Sequence, residues 1–295
     1  MQDTEKPLAR RAYAKINLGL DVVRRLENGY HEVRMVMQTV GISDLLTFAE
    51  AESGIRITTD CGELPVDENN LIYKAARLLA ETCGITKGVS IHLEKHIPIA
   101  AGMAGGSSDA AAAFHGLNRL FSLGMDLEEM KRLGVRIGAD VPYCIVGGTM
   151  RSEGIGEILT PLPEAPEAYL VIAKPDISVS TKYVYENLHV ETVAHHPDIA
   201  AVEAGIRAGD LDGMCLPMEN ILETVTEKKY PVIARIKELL RDSGAVTALM
   251  SGSGPTVFGI FRTRRDAQAA YERMEKSGLA KQLFITTFSN VTCIE

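Results

Sequence analysis

A glycine-rich segment near the middle of the chain constrains the fold more than any other feature of the sequence. Residues Pro98 to Ala113 read PIAAGMAGGSSDAAAA, and they join an apolar, strand-like run to an alanine-rich stretch with helical character. Gly102, Gly105 and Gly106 allow a tight turn and a close approach of the backbone to a ligand. The segment therefore predicts a sharp connection between a strand and a helix, with room for a bound group beside it.

The residues that follow these glycines indicate what that group is. Ser107, Ser108 and Asp109 are of the types that cap helix N-termini, so we expect a helix over 110–121. The start of a helix offers unpaired N–H groups and the positive end of a dipole, which together bind anions. We interpret the segment as a phosphate-binding loop, and a glycine-rich turn that only caps the helix is the alternative. The spacing matches neither the Walker motif nor GxGxxG.

The composition is typical of a globular protein and argues against binding to nucleic acid. The chain has 295 residues, of which 46% are hydrophobic and 24% are charged, and its formal net charge is −8. This length suits one large domain or two of ordinary size. Because nucleic acids are bound mainly through basic surfaces, the acidic balance gives no support to a nucleic-acid partner.

Neither the cysteines nor the apolar segments indicate secretion or a membrane. No CxxC pair occurs, which argues against a zinc site and against a disulfide framework. The five cysteines are Cys61, Cys83, Cys144, Cys215 and Cys293. The first segment, MQDTEKPLARR, lacks the apolar core of a signal peptide, and no apolar run is long enough to span a bilayer. We therefore expect a cytoplasmic protein with reduced thiols.

Strand-like and helix-like segments mix without regular alternation, which favours an α+β fold over a doubly wound sheet. In the first half, strands are expected over 12–23, 44–50, 54–59 and 89–94, and helices over 71–83, 110–121 and 127–136. In the second half, strands are expected over 168–173, within 245–261 and over 284–288, and helices over 181–188, twice within 199–226, and over 230–242 and 265–276. The segment 159–167 contains three prolines and marks a boundary. We expect two domains, residues 1–162 and 163–295, with the active site in the cleft between them.

Three further motifs place polar residues in apolar surroundings. In AKINLGL, Lys15 and Asn17 are two positions apart on one strand and therefore share a face. Asp140 lies in GADVP after a predicted helix, and SGSGPTVFG contains a second tight glycine turn. A lysine and a carboxylate can orient a hydroxyl, accept its proton and stabilise transferred phosphate charge. On local sequence alone, the structural alternatives are a surface pair, a turn-forming aspartate and a hairpin turn.

These motifs resemble those of the GHMP kinase superfamily. AKINLGL, PIAAGMAGGSSDAA and SGSGPTVFG are similar to its three motifs, in the same order and over nearly the whole chain. GYHEV after the first motif and GADVP after the second are similar to one member, which acts in the non-mevalonate isoprenoid precursor pathway. Met103 stands where leucine is usual, which conserves volume. The resemblance implies a two-domain GHMP kinase fold and an ATP-dependent kinase.

For the nucleotide, the resemblance implies that main-chain N–H groups and serine hydroxyls of the glycine-rich segment hold the triphosphate of ATP. The residues concerned are Pro98, Ile99, Ala100, Ala101, Gly102, Met103, Ala104, Gly105, Gly106, Ser107 and Ser108. Asp140 would be the catalytic base, and Lys15 would stand beside it and stabilise the developing charge. Magnesium is expected to bridge the nucleotide phosphates, with Ser107 as its protein contact and no carboxylate ligand assigned.

For the acceptor, the resemblance implies cytidine diphosphate methylerythritol, a small-molecule substrate that is phosphorylated on its 2-hydroxyl. Tyr30 and His31 would contact the cytosine, and Tyr185 would stack on its opposite face. Asn17 and Thr181 would touch the polyol or its phosphates. Another small-molecule kinase of the superfamily and a non-catalytic ligand sensor are the alternatives. We expect a monomer or a homodimer, with no nucleic-acid or membrane partner.

Overall fold

The computed structural model describes residues 8–291, and its first half is built around a pair of long antiparallel strands. The strands of this first sheet are β1 (Leu8–Arg25), β2 (His31–Ala51), β3 (Ile55–Thr59), β4 (Gly88–Glu94), β5 (Thr149–Glu153) and β6 (Ile158–Pro161). One edge of β2 pairs with β1, and its other edge pairs with β4 at one end and with β5 at the other. The turn between β1 and β2 contains Asn28 and Gly29, as the Asn-Gly signal predicts.

Four helices belong to this half within the described residues. They are α1 (Leu71–Cys83), α2 (Gly105–Leu120), α3 (Leu127–Gly134) and α4 (Val141–Val146). The helix α2 lies against β1, and its buried face carries the run of alanines from Ala110 to Ala113. Small side chains allow the helix to lie close to the sheet, and this fixes the position of the loop that precedes it.

A second, smaller sheet organises the rest of the chain. Its strands are β7 (Tyr169–Lys174), β8 (Thr247–Met250), β9 (Val257–Phe261) and β10 (Gln282–Thr287), in the antiparallel order β10-β7-β9-β8. Its helices are α5 (Thr181–Glu186), α6 (Ile199–Ala208), α7 (Leu211–Cys215), α8 (Glu223–Lys229), α9 (Val232–Asp242) and α10 (Arg264–Ser277), with a short 3₁₀ turn over Val190–Thr192. The chain passes from the first sheet to the second through the proline-rich segment 162–168.

The two halves share a core because β1 and β2 are covered on both faces. Ala14, Ile16 and Leu18 on one face of β1 pack in a hydrophobic cluster with Ile172 and Phe258 of the second sheet. The opposite face of β1 packs in a separate cluster that includes α2 and α4. The middle of β1 therefore lies at the junction of the two halves, and polar side chains placed there are enclosed by both.

The structure corrects several predicted element boundaries. The strand β2 runs over His31–Ala51, although only 44–50 was predicted. The first part was missed because residues 35–40 are buried on both faces and show no alternation of apolar and polar residues. The helix α2 begins five residues earlier than predicted, at Gly105. Three helices, α6 to α8, occupy the region in which two were expected. The other predicted strands and helices are found with their ends shifted by a few residues.

Within residues 8–291, no helix has the length and apolar character needed to cross a membrane. Cys61, Cys83 and Cys215 are free thiols, whereas Cys293 lies outside the described residues.

Candidate active site

A cleft of about 970 Å³ lies where the two halves meet, and it brings most of the sequence motifs together. Ligand-binding pockets commonly have volumes of about 300–1,000 Å³, so this cleft is large enough for two substrates. The predicted site residues that line it are Lys15, Asn17, Tyr30, His31, Pro98, Ile99, Ala100, Ala101, Gly102, Ala104, Gly105, Gly106, Ser107, Asp140, Thr181 and Tyr185. Met103 and Ser108 are the two that do not line it.

The glycine-rich segment forms a loop along the cleft, and three of its residues have a left-handed backbone conformation. Ala100, Gly102 and Ala104 have positive φ values of 50°, 72° and 56°. The helix α2 is capped by Ala104 with no side-chain hydrogen bond, so the predicted caps from Ser107, Ser108 and Asp109 are wrong. A side-chain cap would occupy the N–H groups of the first turn. Without one, these N–H groups remain available to an anion in the cleft.

Two residues of the predicted loop are turned toward the protein interior. Met103 is buried in the core beneath the loop, and its carbonyl accepts a hydrogen bond of 3.1 Å from the Lys15 N–H. The Ser108 hydroxyl donates to the Tyr13 carbonyl at 2.6 Å and is therefore already occupied. Ser107 differs, because it lines the cleft and its hydroxyl has no hydrogen-bond partner among the described residues. Of the two serines, only Ser107 can offer its hydroxyl to a ligand.

Lys15 and Asp140 form an ion pair at the floor of the cleft. The Lys15 Nζ lies 3.7 Å from Asp140 Oδ2 and donates a 2.8 Å hydrogen bond to Asn17 Oδ1. The Lys15 side chain is 5% exposed, whereas that of Asp140 is 33% exposed. The shared strand face predicted for Lys15 and Asn17 is therefore confirmed, and neither is on the surface. The lysine is held in place by both partners, and the carboxylate remains open to a ligand.

Asp140 is positioned by the element that follows it, not by the predicted helix before it. It is the N-cap residue of α4 and makes no side-chain cap bond, which leaves both carboxylate oxygens free of the helix backbone. Tyr143, one turn later, donates a 2.7 Å hydrogen bond from its hydroxyl to the Gly148 carbonyl and also contacts the Thr39 hydroxyl at 3.0 Å. These bonds fix α4 against β2, and the fixed helix in turn holds Asp140 facing Lys15.

The far end of the cleft is lined by aromatic side chains from both halves. The rings of His31 and Tyr185 are 5.1 Å apart between centroids and inclined at 41°, while Tyr30 lies at the rim with 57% of its surface exposed. Burial, and then the charge of Arg25, lowers the pKa of His31, although Glu191 opposes this. Burial, and then Asp140, raises the pKa of Tyr185. At neutral pH, His31 therefore has one ring nitrogen as donor and the other as acceptor.

The second glycine turn closes the cleft from the C-terminal half. The Ser251 hydroxyl donates to the Gly102 carbonyl at 2.8 Å, and the Ser253 hydroxyl lies 2.8 Å from that of Thr181. A Cβ atom on Gly102 would lie 2.3 Å from the Ser251 carbonyl oxygen, so only glycine fits there. Gly252 and Ser253 line the cleft, and the direct contact between Ser253 and Thr181 was not predicted from the sequence.

A buried charged cluster beneath the phosphate loop was missed by the sequence reasoning. Lys95 pairs with Asp44 and lies 3.1 Å from Asp109 Oδ2, and the three side chains are 5%, 0% and 5% exposed respectively. Burial raises the pKa of Asp109, and Asp44 adds to this effect while Lys95 opposes it. The three residues are far apart in the sequence, so no local pattern reveals the cluster. It ties β2, the end of β4 and α2 together directly under the loop.

Known proteins are similar to this chain in sequence and in fold. The model of the GHMP kinases N terminal domain matches residues 70–148, and that of the GHMP kinases C terminal domain matches residues 201–280. A 4-diphosphocytidyl-2-C-methyl-D-erythritol kinase of Lachnoclostridium phytofermentans is 50% identical over 279 residues, which is 94% of this chain and 96% of that protein. The chain belongs to this family of kinases. Another 4-diphosphocytidyl-2-C-methyl-D-erythritol kinase, of Lachnospira eligens, is 51% identical over 277 residues, again 94% of this chain and 96% of that protein.

Solved structures agree with membership of the 4-diphosphocytidyl-2-C-methyl-D-erythritol kinase family. The crystal structure of 4-(cytidine 5'-diphospho)-2C-methyl-D-erythritol kinase matches with a TM-score of 0.81 and 32% identity, over 96% of this chain and 100% of that one. A homoserine kinase from Cytophaga hutchinsonii matches with a TM-score of 0.79 at 22% identity, over 99% of this chain and 96% of that one, and shares the fold. The predicted α+β GHMP kinase fold and the predicted family are therefore confirmed.

Proposed function

We propose that this protein transfers the γ-phosphoryl group of ATP to the 2-hydroxyl of 4-diphosphocytidyl-2-C-methyl-D-erythritol, giving the 2-phosphate and ADP in the non-mevalonate isoprenoid pathway. The observation that carries the proposal is the Lys15–Asp140 pair, with its carboxylate open to a cleft lined by an uncapped phosphate loop. A sensor would not need a base at this position, whereas a kinase does.

The two ends of the cleft divide the substrates between them. Gly106 of the phosphate loop lies next to Leu71, where the cleft wall also contains Leu64 and Asn69. We assign this end to the nucleoside of ATP, because the opposite end has the His31–Tyr185 pair, which suits a cytosine. The neutral imidazole of His31 can donate to one polar atom of the base edge or accept from another. The triphosphate then lies along the loop and points its terminal group toward Asp140.

The chain's own residues account for the movement of the proton and the placement of charge. Asp140 accepts the proton of the substrate's 2-hydroxyl while the hydroxyl oxygen forms a bond to the γ-phosphorus. The bond between the γ-phosphorus and the β,γ-bridging oxygen breaks, and ADP leaves with that oxygen. Lys15 stabilises the negative charge that spreads over the transferred group, and the N–H groups at the start of α2 do the same from the other side. Asn17 fixes the direction of the Lys15 ammonium group.

Magnesium is part of the proposal, with a small contribution from the protein. Among the described residues, no three His, Cys, Asp or Glu side chains come together as a metal site. This suits an ion held chiefly by nucleotide phosphates and water, as Mg²⁺ is in many kinases. The unpartnered Ser107 hydroxyl is the protein atom that would reach it. When bound, the ion would neutralise phosphate charge.

A coupled assay of ADP release, with 4-diphosphocytidyl-2-C-methyl-D-erythritol as acceptor, tests the proposal. We expect turnover that requires both ATP and this acceptor and that Asp140→Ala abolishes. Homoserine and mevalonate serve as control acceptors, and we expect no turnover with either. Folded protein that binds ATP but releases no ADP with the cytidyl acceptor would overturn the proposal and favour a ligand sensor.

Three further expectations are part of the same proposal. We place the protein in the cytoplasm, as a monomer or a homodimer, and we place the division between its domains at residue 162. Size-exclusion chromatography with light scattering measures the oligomeric state.

A further inference from the structure

The turn Ser251–Gly254 is connected to three separate parts of the active site. It reaches the phosphate loop through the Ser251–Gly102 hydrogen bond and the substrate-side helix α5 through the Ser253–Thr181 contact. Its third neighbour is β1, because Gly252 packs near the Asn17 side chain. A small displacement of this turn would therefore move groups on both the nucleotide side and the acceptor side.

A buried amide side chain supports the turn from below. Asn220 is 4% exposed, and its Nδ2 donates to the Met250 carbonyl at 2.8 Å and to the Gly252 carbonyl at 2.7 Å. Its Oδ1 accepts from the Leu222 N–H at 3.0 Å. One amide hydrogen is thus bonded to the last residue of β8 and the other to the turn, and the amide oxygen is bonded to the residue that precedes α8. Only an amide group provides two donors and one acceptor in this arrangement.

The backbone around Asn220 is attached to the catalytic strand. The Leu20 N–H donates to the Glu219 carbonyl at 3.0 Å, and the Ile221 N–H donates to the Leu20 carbonyl at 3.0 Å. Leu20 is five positions along β1 from Lys15. The strand that contains Lys15 is therefore hydrogen-bonded to the two residues on either side of Asn220. A continuous series of hydrogen bonds therefore runs from β1 through Asn220 and the turn to the phosphate loop.

We propose that Asn220 is a positioning residue that sets the distance between the phosphate loop and the Lys15–Asp140 pair, acting through the turn Ser251–Gly254. The inference rests on the proposed kinase activity. It does not place Asn220 in contact with a substrate. Its consequence is that the amide of Asn220, although outside the cleft, determines how well the transferred group and the base are aligned. Misplacement of reacting groups by a fraction of an ångström to one ångström lowers the rate, by up to about 100-fold.

Steady-state kinetics of Asn220→Ala and Asn220→Asp tests this, with Asn118 as the matched control. Asn118 also uses its amide on backbone groups, donating to the Met125 carbonyl at 2.9 Å and accepting from the Met125 N–H at 3.1 Å, but it lies away from the cleft. We expect Asn220→Ala to lower kcat by about 10- to 100-fold. Asn220→Asp should lower it further, because a carboxylate oxygen would then face two carbonyl oxygens. Asn118→Ala should lower the melting temperature to a similar extent and leave kcat within about twofold of the native value.

A double-mutant cycle separates positioning from loss of stability. If Asn220 acts through the turn, Asn220→Ala and Ser251→Ala change the KM for ATP non-additively, because both interrupt one series of bonds. All assays are run well below the melting temperature of each variant. Unchanged kcat in folded Asn220→Ala, or strictly additive effects in the cycle, would overturn the inference. If Asn220→Ala does not fold, Asn220→Ser serves in its place. Absence of turnover in the native protein would instead reject the proposed function.

Discussion

Two buried lysines lie on either side of the phosphate loop, and their surroundings differ in one respect. Lys15 and Lys95 have side chains that are each 5% exposed, and each faces at least one carboxylate. The carboxylate of Asp140 is 33% exposed, whereas those of Asp44 and Asp109 are almost fully enclosed. The first pair opens onto the cleft and is available for proton transfer. The second cluster reaches the cleft only through Lys95 and Asp109, whose side chains are each 5% exposed, and it supports the loop. The two sites therefore differ in how far the carboxylate is exposed to a ligand.

The largest effect should come from the open carboxylate. Asp140→Asn removes the proposed base but retains its size, and we expect kcat to fall by a factor on the order of 10⁴. The binding of ATP, measured by calorimetry, should change little, because the amides of the loop are intact. A kcat within tenfold of the native value would show that Asp140 is not the base and would remove the functional distinction between the two lysine sites.

Substitutions in the enclosed cluster of Lys95, Asp44 and Asp109 should lower the stability of the protein. Asp44→Ala removes one of the two carboxylates that face the buried Lys95 ammonium group, and with it the acceptor for the N–H groups of His96 and Ile97. We expect the free energy of unfolding to fall by about 3–5 kcal/mol, measured by denaturant titration. Asp60→Ala is the matched control, because Asp60 accepts from the Lys95 N–H but is exposed, and it should lower the free energy of unfolding much less than Asp44→Ala does. Equal losses for the two variants would contradict the supporting role.

Lys15 is as buried as Lys95, but it faces the exposed carboxylate of Asp140. For Lys15→Met, we expect kcat to fall by about 10²- to 10³-fold, because a preorganised charge at the transferred group is lost. The KM for ATP should rise much less than kcat falls. A variant that loses affinity for ATP but keeps its kcat would instead make Lys15 a binding residue.

Stacking at the aromatic end should contribute less than either lysine. Tyr185→Leu removes the ring beside His31, and we expect substrate binding to weaken by about 0.5–1.5 kcal/mol, a two- to tenfold rise in Kd. Tyr183→Leu is the control on the same helix, because its ring lies against Lys229 instead of the cleft. Isothermal titration with the cytidyl substrate distinguishes them, and equal weakening by both variants would argue against stacking.

The smallest effect should be a pH dependence that comes from His31. Its pKa is lowered by burial, so the ring is neutral at pH 7 and gains a proton only below its ordinary value of about 6.5. The Kd of the cytidyl substrate should therefore be constant from pH 8 to about 6.5 and rise as the pH falls further, because protonation removes the acceptor on the ring. His31→Gln should abolish this rise. A rise that begins above about pH 7 would contradict the neutral ring.

The sequence predicted those parts of the site that lie within short continuous segments. The glycine-rich loop, the shared face of Lys15 and Asn17 and the second glycine turn are each encoded by a few adjacent residues, and the structure brings them into one cleft. The start of α2 was misplaced because the serines resemble caps, whereas the uncapped first turn is left for the ligand. The inward orientation of Met103 and Ser108 depends on packing against the core, and the local sequence does not predict such packing.

The residues that the sequence did not reveal act across long separations. The charged cluster forms only because β2, β4 and α2 pack together and bring in Lys95, Asp44 and Asp109. Asn220 is likewise distant in sequence from the second glycine turn, since it precedes its partner Met250 by 30 residues. The strand β2 was only partly predicted for a related reason, since its middle is buried on both faces and carries Gln38 and Thr39 in the core. Burial on two sides removes the alternation on which a strand prediction depends.

The central claim is that backbone amides of the phosphate loop hold the triphosphate while Asp140 faces the acceptor alcohol. A crystal structure with a non-hydrolysable ATP analogue and the cytidyl substrate tests it most directly. We predict the β- and γ-phosphates at the N–H groups of Gly105 to Ser107 and the 2-hydroxyl within hydrogen-bonding distance of the Asp140 carboxylate. A nucleotide bound elsewhere with the loop unoccupied, or a 2-hydroxyl directed away from Asp140, would contradict the account.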